Sequence, residues 1–588
     1  MKELCAVACL TFILASSLIS HAADAKADAQ FKSIYEKEWA WRKAQRGEED
    51  DEATTASRRK VKAELPNVDR ATQEAKLRYW SNVLQQLDGI KASALSPAEQ
   101  INYAVYRAQI QGLVSSQKFR EYEMPFNSDS AFWSGITYRL REPFHTLQDY
   151  NNYLSQMNDI PRFFNEETLN MRAGLKRGFT PPQVTLVGRD SSIASIAEAK
   201  TPEETIFYEP FKKMPAIIPA TEQVRLRAEG TTIIRDKVIP TYAELLKFVR
   251  DEYIPNARKS LAAEDLPDGK AYYQFQILDY TTTNLTSAQI HQIGLDEMAM
   301  IHAEMLASMK ETGFQGDFPA FLHFLRTDPQ FYAKTAEELL MRAAYISKEF
   351  DGKASQYFGY LPRERFAIKP VPADQAPFYT SARGGPGVYL VNTYDLPSRP
   401  LYSLPALTLH ESAPGHAFQI PIAMEHKNLP RFRQNYISAY GEGWALYSER
   451  LGTDMGMYHT PYETFGMLSY QAWRAARLVV DTGIHSQGWT REQAQQYMRD
   501  NTALSNHEIE TEVDRYISWP GQALSYYLGE MSIRKSRSKA EVALGEKFNI
   551  RAFHDSVLEL GSVPLPVLEE HIDRFIQSGG KGPYPDME

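Results

Sequence analysis

Apolar residues recur at helical spacing along most of the chain. Ile290, Ile293, Met298, Ile301 and Met305 stand three to five residues apart, which places them on one face of an amphipathic helix. The segments that open such stretches carry capping chemistry: Ser96-Pro97-Ala98-Glu99, Thr201-Pro202-Glu203-Glu204, Thr286-Ser287-Ala288-Gln289, Thr335-Ala336-Glu337-Glu338 and Thr490-Arg491-Glu492-Gln493. A Ser or Thr followed three residues later by Glu or Gln satisfies two N–H groups that a first helical turn leaves unpaired, and a Pro beside it has no N–H to lose. The Met and Leu positions in these helices read as core rather than as a cofactor pocket. No repeat of fixed period is present. The pattern predicts a mainly α protein.

One region breaks the rhythm. Phe366-Ala367-Ile368-Lys369, Phe378-Tyr379-Thr380 and Val388-Tyr389-Leu390-Val391-Asn392-Thr393-Tyr394 are short β-rich runs separated by prolines and by Gly384-Gly385-Pro386-Gly387. They predict a small antiparallel sheet. The glycine run lacks the Lys-Ser/Thr of a phosphate loop and the strand-to-helix setting, so we read it as a loop.

Composition narrows the class. With 43% apolar and 24% charged residues in 588, the chain is long enough for two or three domains. A net charge of −9 argues against a nucleic-acid partner, which calls for a basic face. Lys2, the apolar run from Leu4 to Ile19, and the small residues around Ala22 and Ala25 make a secretory signal. Cleavage is expected after Ala22 or Ala25, giving an exported and most simply periplasmic protein with no membrane attachment once the signal is removed. Both cysteines, Cys5 and Cys9, fall in that signal. A transition metal in the mature chain would therefore rely on His and carboxylate side chains. The charged stretch from Arg42 to Lys62 reads as a solvated helix or loop. The expected organisation is a signal over 1–25, a helical region over 26–265 and a catalytic region over 266–588.

The chemistry concentrates between residues 407 and 449. In Leu409-His410-Glu411-Ser412-Ala413-Pro414-Gly415-His416, a His-Glu pair is trailed by a second His. Two neutral imidazoles bind zinc and the neighbouring carboxylate takes a proton from water. The usual spacing is four residues; here it is six. On an ideal helix those side chains point roughly 240° apart. Pro414 disrupts the helix before it and Gly415 tolerates distortion, so a looped-out turn would bring His416 back. A third ligand comes from Tyr440-Gly441-Glu442-Gly443-Trp444-Ala445-Leu446-Tyr447-Ser448-Glu449. Glu442 and Glu449 lie two turns apart on one face. We take Glu442 as the ligand, with Glu449 available to orient an imidazole.

His-Glu-x-x-Pro-Gly-His followed by Glu-Gly-Trp-Ala-x-Tyr-x-Glu resembles the bacterial family of unknown function designated DUF885, itself similar to gluzincin-type zinc peptidases. Leu266-Pro267-Asp268-Gly269, Arg477-Leu478-Val479-Val480-Asp481 and Glu512-Val513-Asp514-Arg515-Tyr516 extend the resemblance to the C-terminus. It implies a large helical fold like that of thimet oligopeptidase and carboxypeptidase Taq relatives, with a deep channel that admits short peptides. It also implies one zinc ion per chain, held by His410, His416 and Glu442, with Glu411 as general base. By the same resemblance His485, Tyr516 and Tyr526 would donate to the oxyanion. The substrate would lie along an edge strand, here at Tyr389, Val391 and Asn392, and Arg477 or Arg515 would bind its terminal carboxylate.

The leading reading is zinc-dependent hydrolysis of peptide bonds in short peptides. A zinc amidase acting on non-standard amides is the nearest alternative enzyme, and manganese or cobalt would suit the same donors. A non-catalytic peptide-binding scaffold with a structural metal is the competing class. Glu411 argues against it, because a structural site has no use for a base. No Gly-x-Ser-x-Gly elbow supports a serine hydrolase.

Overall fold

The computed structural model describes residues 25–45, 61–128, 130–140, 143–373, 376–426 and 429–584. The expected signal up to residue 24, with both cysteines, and most of the Arg42–Lys62 charged stretch lie outside the described residues. The chain gathers into two compact units. One runs to Ser260 and includes Leu266–Asp268; the other comprises Leu261–Asp265 and everything from Gly269 onward.

The first unit is built from helices, among them α1 (25–45), α2 (Arg70–Asp88), α3 (Pro97–Phe119) and α4 (Leu147–Arg177). An apolar cluster in it takes Tyr153, Met157, Ile160 and Phe164 of α4 together with Phe207, Phe211 and Tyr242. In α1 the fully buried Glu38 is saturated. Its Oε1 accepts from Arg42 Nε at 2.8 Å and Trp80 Nε1 at 2.9 Å, and its Oε2 accepts from Arg42 Nη2 and the Tyr106 hydroxyl, both at 2.8 Å. Of the capping segments in this unit, Ser96 sits at the N-cap of α3 without a side-chain bond. Thr201 opens only a single short turn, Pro202–Glu204.

The second unit contains α5 (Ser287–Glu311), α6 (Ala336–Tyr357), α7 (Leu404–Glu411), α8 (His416–Glu425), α9 (Ser438–Asp454), α10 (Pro461–Ser486), α11 (Asn506–Ser518) and α12 (Ser525–Leu544). Thr286 and Gln289 form a complete capping box at the start of α5, and Thr335 caps α6 as its sequence predicts. The axis of the unit is α10, where every residue from Phe465 to His485 is buried. Arg474, Arg477 and Asp481 are therefore carried into the interior, where charge is tolerated only when paired. Helices α9 and α12 meet backbone to backbone. A Cβ on Gly443 would come within 2.4 Å of the Gly529 carbonyl carbon, and one on Gly529 within 1.9 Å of the Ala439 oxygen. Only glycine at both positions lets these helices, which carry Glu442 and Tyr526, approach so closely.

The sheet has three strands, β1 (Ala367–Pro370), β2 (Ala382–Gly385) and β3 (Val388–Val391), in the order β1-β3-β2. It is mixed rather than antiparallel: β1 runs parallel to β3 (Ala367 opposite Val388), and β2 antiparallel (Ala382 opposite Val391). Phe378 ends a short helical turn, Ala376–Phe378. The second strand lies further on and takes in Gly384 and Gly385, which the sequence reading had left in a loop.

Candidate metal centre

The helix carrying His410 stops where the sequence says it must. α7 ends at Glu411, Ser412 leaves helical geometry with φ −95° and ψ −108°, and α8 begins at His416. Gly415 N donates to Leu409 O at 3.0 Å, folding the loop back on itself. Trp444 Nε1 donates to Pro414 O at 2.7 Å, tying the loop to α9. The six-residue spacing thus becomes a turn between two helices. The two imidazoles meet with ring centroids 5.0 Å apart and planes at 88°.

His410, His416 and Glu442 converge, each offering one ligand atom, all within 4.8 Å of one another. Glu442 Oε2 lies 3.3 Å from His416 Nε2 and 3.5 Å from His410 Nε2. Two donors each about 2.1 Å from one zinc at a tetrahedral angle stand about 3.4 Å apart. Both separations are longer than the 2.7–3.2 Å of ordinary N–H···O bonds, so the three atoms fit a shared ion better than a hydrogen-bonded cluster. Two imidazoles and one carboxylate are a donor set suited to catalytic zinc.

The neighbouring groups hold this set in place. His410 Nδ1 lies 2.8 Å from Oε1 of the fully buried Glu449, an arrangement that turns Nε2 toward the metal position. Arg474 Nη2 approaches the same Glu449 oxygen at 3.4 Å. The Tyr436 hydroxyl donates to Glu442 Oε1 at 2.8 Å, leaving Oε2 for the ion. Burial opposes a charge on His410, but Glu442, Glu449 and Glu411 outweigh it and lift its pKa to about 9. Burial likewise opposes charge on Glu442, and the two histidines reverse the effect, holding it well below the usual carboxylate range. In the metal-free protein a proton on His410 does part of the work a cation would do.

Glu411 is only partly buried, and its Oε2 accepts from Gly384 N at 2.5 Å. A Cβ on Gly384 would lie 1.7 Å from the Glu411 carbonyl oxygen. Glycine there is what lays β2 against the end of α7. The edge strand beside the site is therefore β2. β3, where the sequence placed the substrate, is the central strand. Tyr389, Val391 and Asn392 are buried; the Tyr389 hydroxyl lies 3.2 Å from Thr408 Oγ1, and Asn392 Nδ2 donates to the Ala376, Tyr379 and Thr380 carbonyls. With partners on both sides, β3 has no free edge for a peptide.

The helper residues divide. Tyr526 is at the site, its ring nearly parallel to that of His410 at 6.5 Å between centroids. His485 is instead a core histidine: Nδ1 accepts from Ala263 N at 3.0 Å and Nε2 lies 2.9 Å from Tyr516 O. The Tyr516 hydroxyl is fully engaged, accepting from Trp473 Nε1 at 2.8 Å and Arg477 Nε at 2.9 Å and bonding Glu512. Arg477 and Arg515 both pair with Glu512, at 3.0 and 2.9 Å. Sequence reasoning missed Tyr436, Gly384 and Glu512. Glu512 stood within the motif Glu512–Tyr516, and Tyr436 lies six residues before Glu442.

The chain matches the family described as bacterial proteins of unknown function, DUF885, over residues 51–572. It belongs to DUF885. The matched span includes every residue of the metal centre. Among solved structures, it is similar to a protein provisionally described as a lipoprotein from Colwellia psychrerythraea, with 26% identity and a TM-score of 0.81 over 95% of this chain and 99% of that one. A second, from Shewanella oneidensis, is provisionally described as a lipoprotein of unknown function; at 17% identity and a TM-score of 0.64 over 92% and 98% of the two chains, it shares the fold. No curated protein matches. Among the described residues of this DUF885 member, no helix is long and apolar enough to cross a membrane.

Proposed function

We propose that this DUF885 protein is an exported zinc metallopeptidase acting on short peptides. The observation that carries the reading is the pair of Nε2–Oε2 separations, 3.3 and 3.5 Å. His410 and His416 through Nε2, and Glu442 through Oε2, would hold the ion. Zinc bound there would polarise the scissile carbonyl and lower the pKa of a water at its open position from 15.7 toward about 7.

The remaining chemistry belongs to the chain. Gly384 N–H fixes Glu411 Oε2 and leaves Oε1 to take the proton of the attacking water, then pass it to the leaving amine. Tyr436 keeps Glu442 turned so that a single oxygen faces the ion. Tyr526 presents a hydroxyl toward the oxygen that gains charge, a type of contact whose removal costs about 3–4 kcal/mol. The peptide would run along the outer edge of β2, in the channel that the gluzincin resemblance implies. The lipoprotein descriptions of the two solved relatives accord with export.

The test is metal content followed by cleavage. Purified protein is expected to carry about one zinc per chain and His416→Ala none. Zinc-loaded protein should cleave members of a short-peptide library, and Glu411→Gln should bind zinc while losing cleavage by about 10²–10⁴-fold. A wild type that stays empty after zinc titration overturns the reading. One that binds zinc but cleaves neither peptides nor amides leaves the scaffold reading in front.

A further inference from the structure

The two arginines that a peptidase reading would assign to the substrate's terminal carboxylate both pair with Glu512. The Arg477 guanidinium is 2% exposed and lies between two rings, its carbon 4.5 Å from the Trp473 centroid and 4.2 Å from that of Tyr526. The Tyr526 ring in turn lies nearly parallel to that of His410, at 15° between planes and 6.5 Å between centroids. Arg477 Nε and Nη2 go to the Tyr516 hydroxyl and Glu512. Arg515 gives Nη2 to Glu512 and Nη1 to Gln522 Oε1. Gln522 opens the short turn, Gln522–Leu524, that runs directly into Ser525 and Tyr526 at the start of α12.

From this arrangement we infer that Arg477 and Arg515 are positioning residues for Tyr526. Arg477 clamps the ring from one face and sets its angle to His410. Arg515 acts through the backbone: its donation to Gln522 anchors the turn Gln522–Leu524, which delivers Tyr526 to the start of α12. A desolvated cation against an aromatic face is worth more than an exposed one. Glu512, shared by the two arginines, balances one of their two positive charges.

The inference rests on the metallopeptidase reading, and the two fail differently. A carboxylate anchor and a tyrosine clamp predict opposite responses to the substrate's C-terminus. The probes are zinc-loaded protein, matched peptides with free and amidated C-termini, and a phosphinic pseudotripeptide whose charged oxygens mimic the tetrahedral state. Arg477→Lys and Arg515→Lys keep the positive charge and guard against misfolding, with zinc content and melting temperature measured for each.

Each variant should lower kcat about 10-fold or more on both peptides alike, with KM within about twofold, and weaken the phosphinic ligand by a similar factor. In a Tyr526→Phe background the same changes should have less than about a twofold further effect. A loss confined to free C-termini, or effects that multiply with Tyr526→Phe, would overturn the inference and leave the metal centre standing. A wild type that binds no zinc, or binds zinc but neither cleaves nor takes up the phosphinic ligand, would overturn both.

Discussion

Two carboxylate nests in this molecule, one buried and one partly buried, look alike by composition and differ in what their atoms leave open. Around Glu38 in the first unit, an arginine, a tryptophan and a tyrosine fill both oxygens with four bonds of 2.8 to 2.9 Å. Around Glu442 in the second, one oxygen is capped by Tyr436 and the other faces two imidazole nitrogens at 3.3 and 3.5 Å. The first nest is closed, so its charge is bound up in holding α1, α2 and α3 together. The second brings three ligand atoms within 4.8 Å of one another, with its nitrogen–oxygen separations longer than ordinary hydrogen bonds. Convergence without closure separates a binding centre from a buried ion pair.

The contrast breaks most visibly if a converging ligand is removed. His416→Ala should lower zinc affinity roughly a thousandfold or more, measured by chelator competition, while the metal-free protein melts near wild type. Glu38→Gln should do the reverse. Leaving Arg42 buried and uncompensated costs about 3–5 kcal/mol of unfolding free energy, read from denaturant titration, with zinc content unchanged.

Acidity sharpens the comparison further. The folded pKa of His410 is raised from 6.5 to about 9. Its contribution to metal-free stability is therefore full below 6.5 and lost as pH rises through about 9. Zinc must displace that proton, so its affinity should climb about tenfold per pH unit across the same window; a flat profile would show that His410 is not a ligand. Glu449→Gln should weaken zinc by about 10–100-fold through the orientation of His410. Tyr436→Phe is the mildest change, about 1 kcal/mol in zinc affinity, and an effect on stability alone would make that hydroxyl structural.

The sequence reading recovered what local chemistry dictates. The capping boxes at Thr286 and Thr490 form as written, and Pro414 with Gly415 ends the helix where the histidine spacing required. It erred where tertiary pairing decides. Nothing local tells that β3 rather than β2 lies in the middle of the sheet, or that Gly384 is extended because the backbone of Glu411 presses on it. The helper residues failed for a related reason. His485 and Tyr516 have the right chemistry for a site, yet the His485 nitrogens are claimed by Ala263 and Tyr516, 222 and 31 positions away in sequence, and the Tyr516 hydroxyl by Trp473 and Arg477, 43 and 39 positions away. Tyr526 differs from Tyr516 only in what its neighbours leave free.

The break between α7 and α8 has a consequence for how such centres are found and altered. When both histidines ride one helix, helical pitch dictates the gap between them, and the gap becomes a fixed signature that pattern searches exploit. Here a four-residue bridge, 412–415, sets it instead. Chains built this way escape any scan keyed to a spacing of four. They also gain an adjustable element: lengthening or shortening the bridge changes the separation of the two imidazoles without touching the helix that carries Glu411. Swapping bridge lengths among relatives is thus a direct route to retuning which ion such a centre accepts.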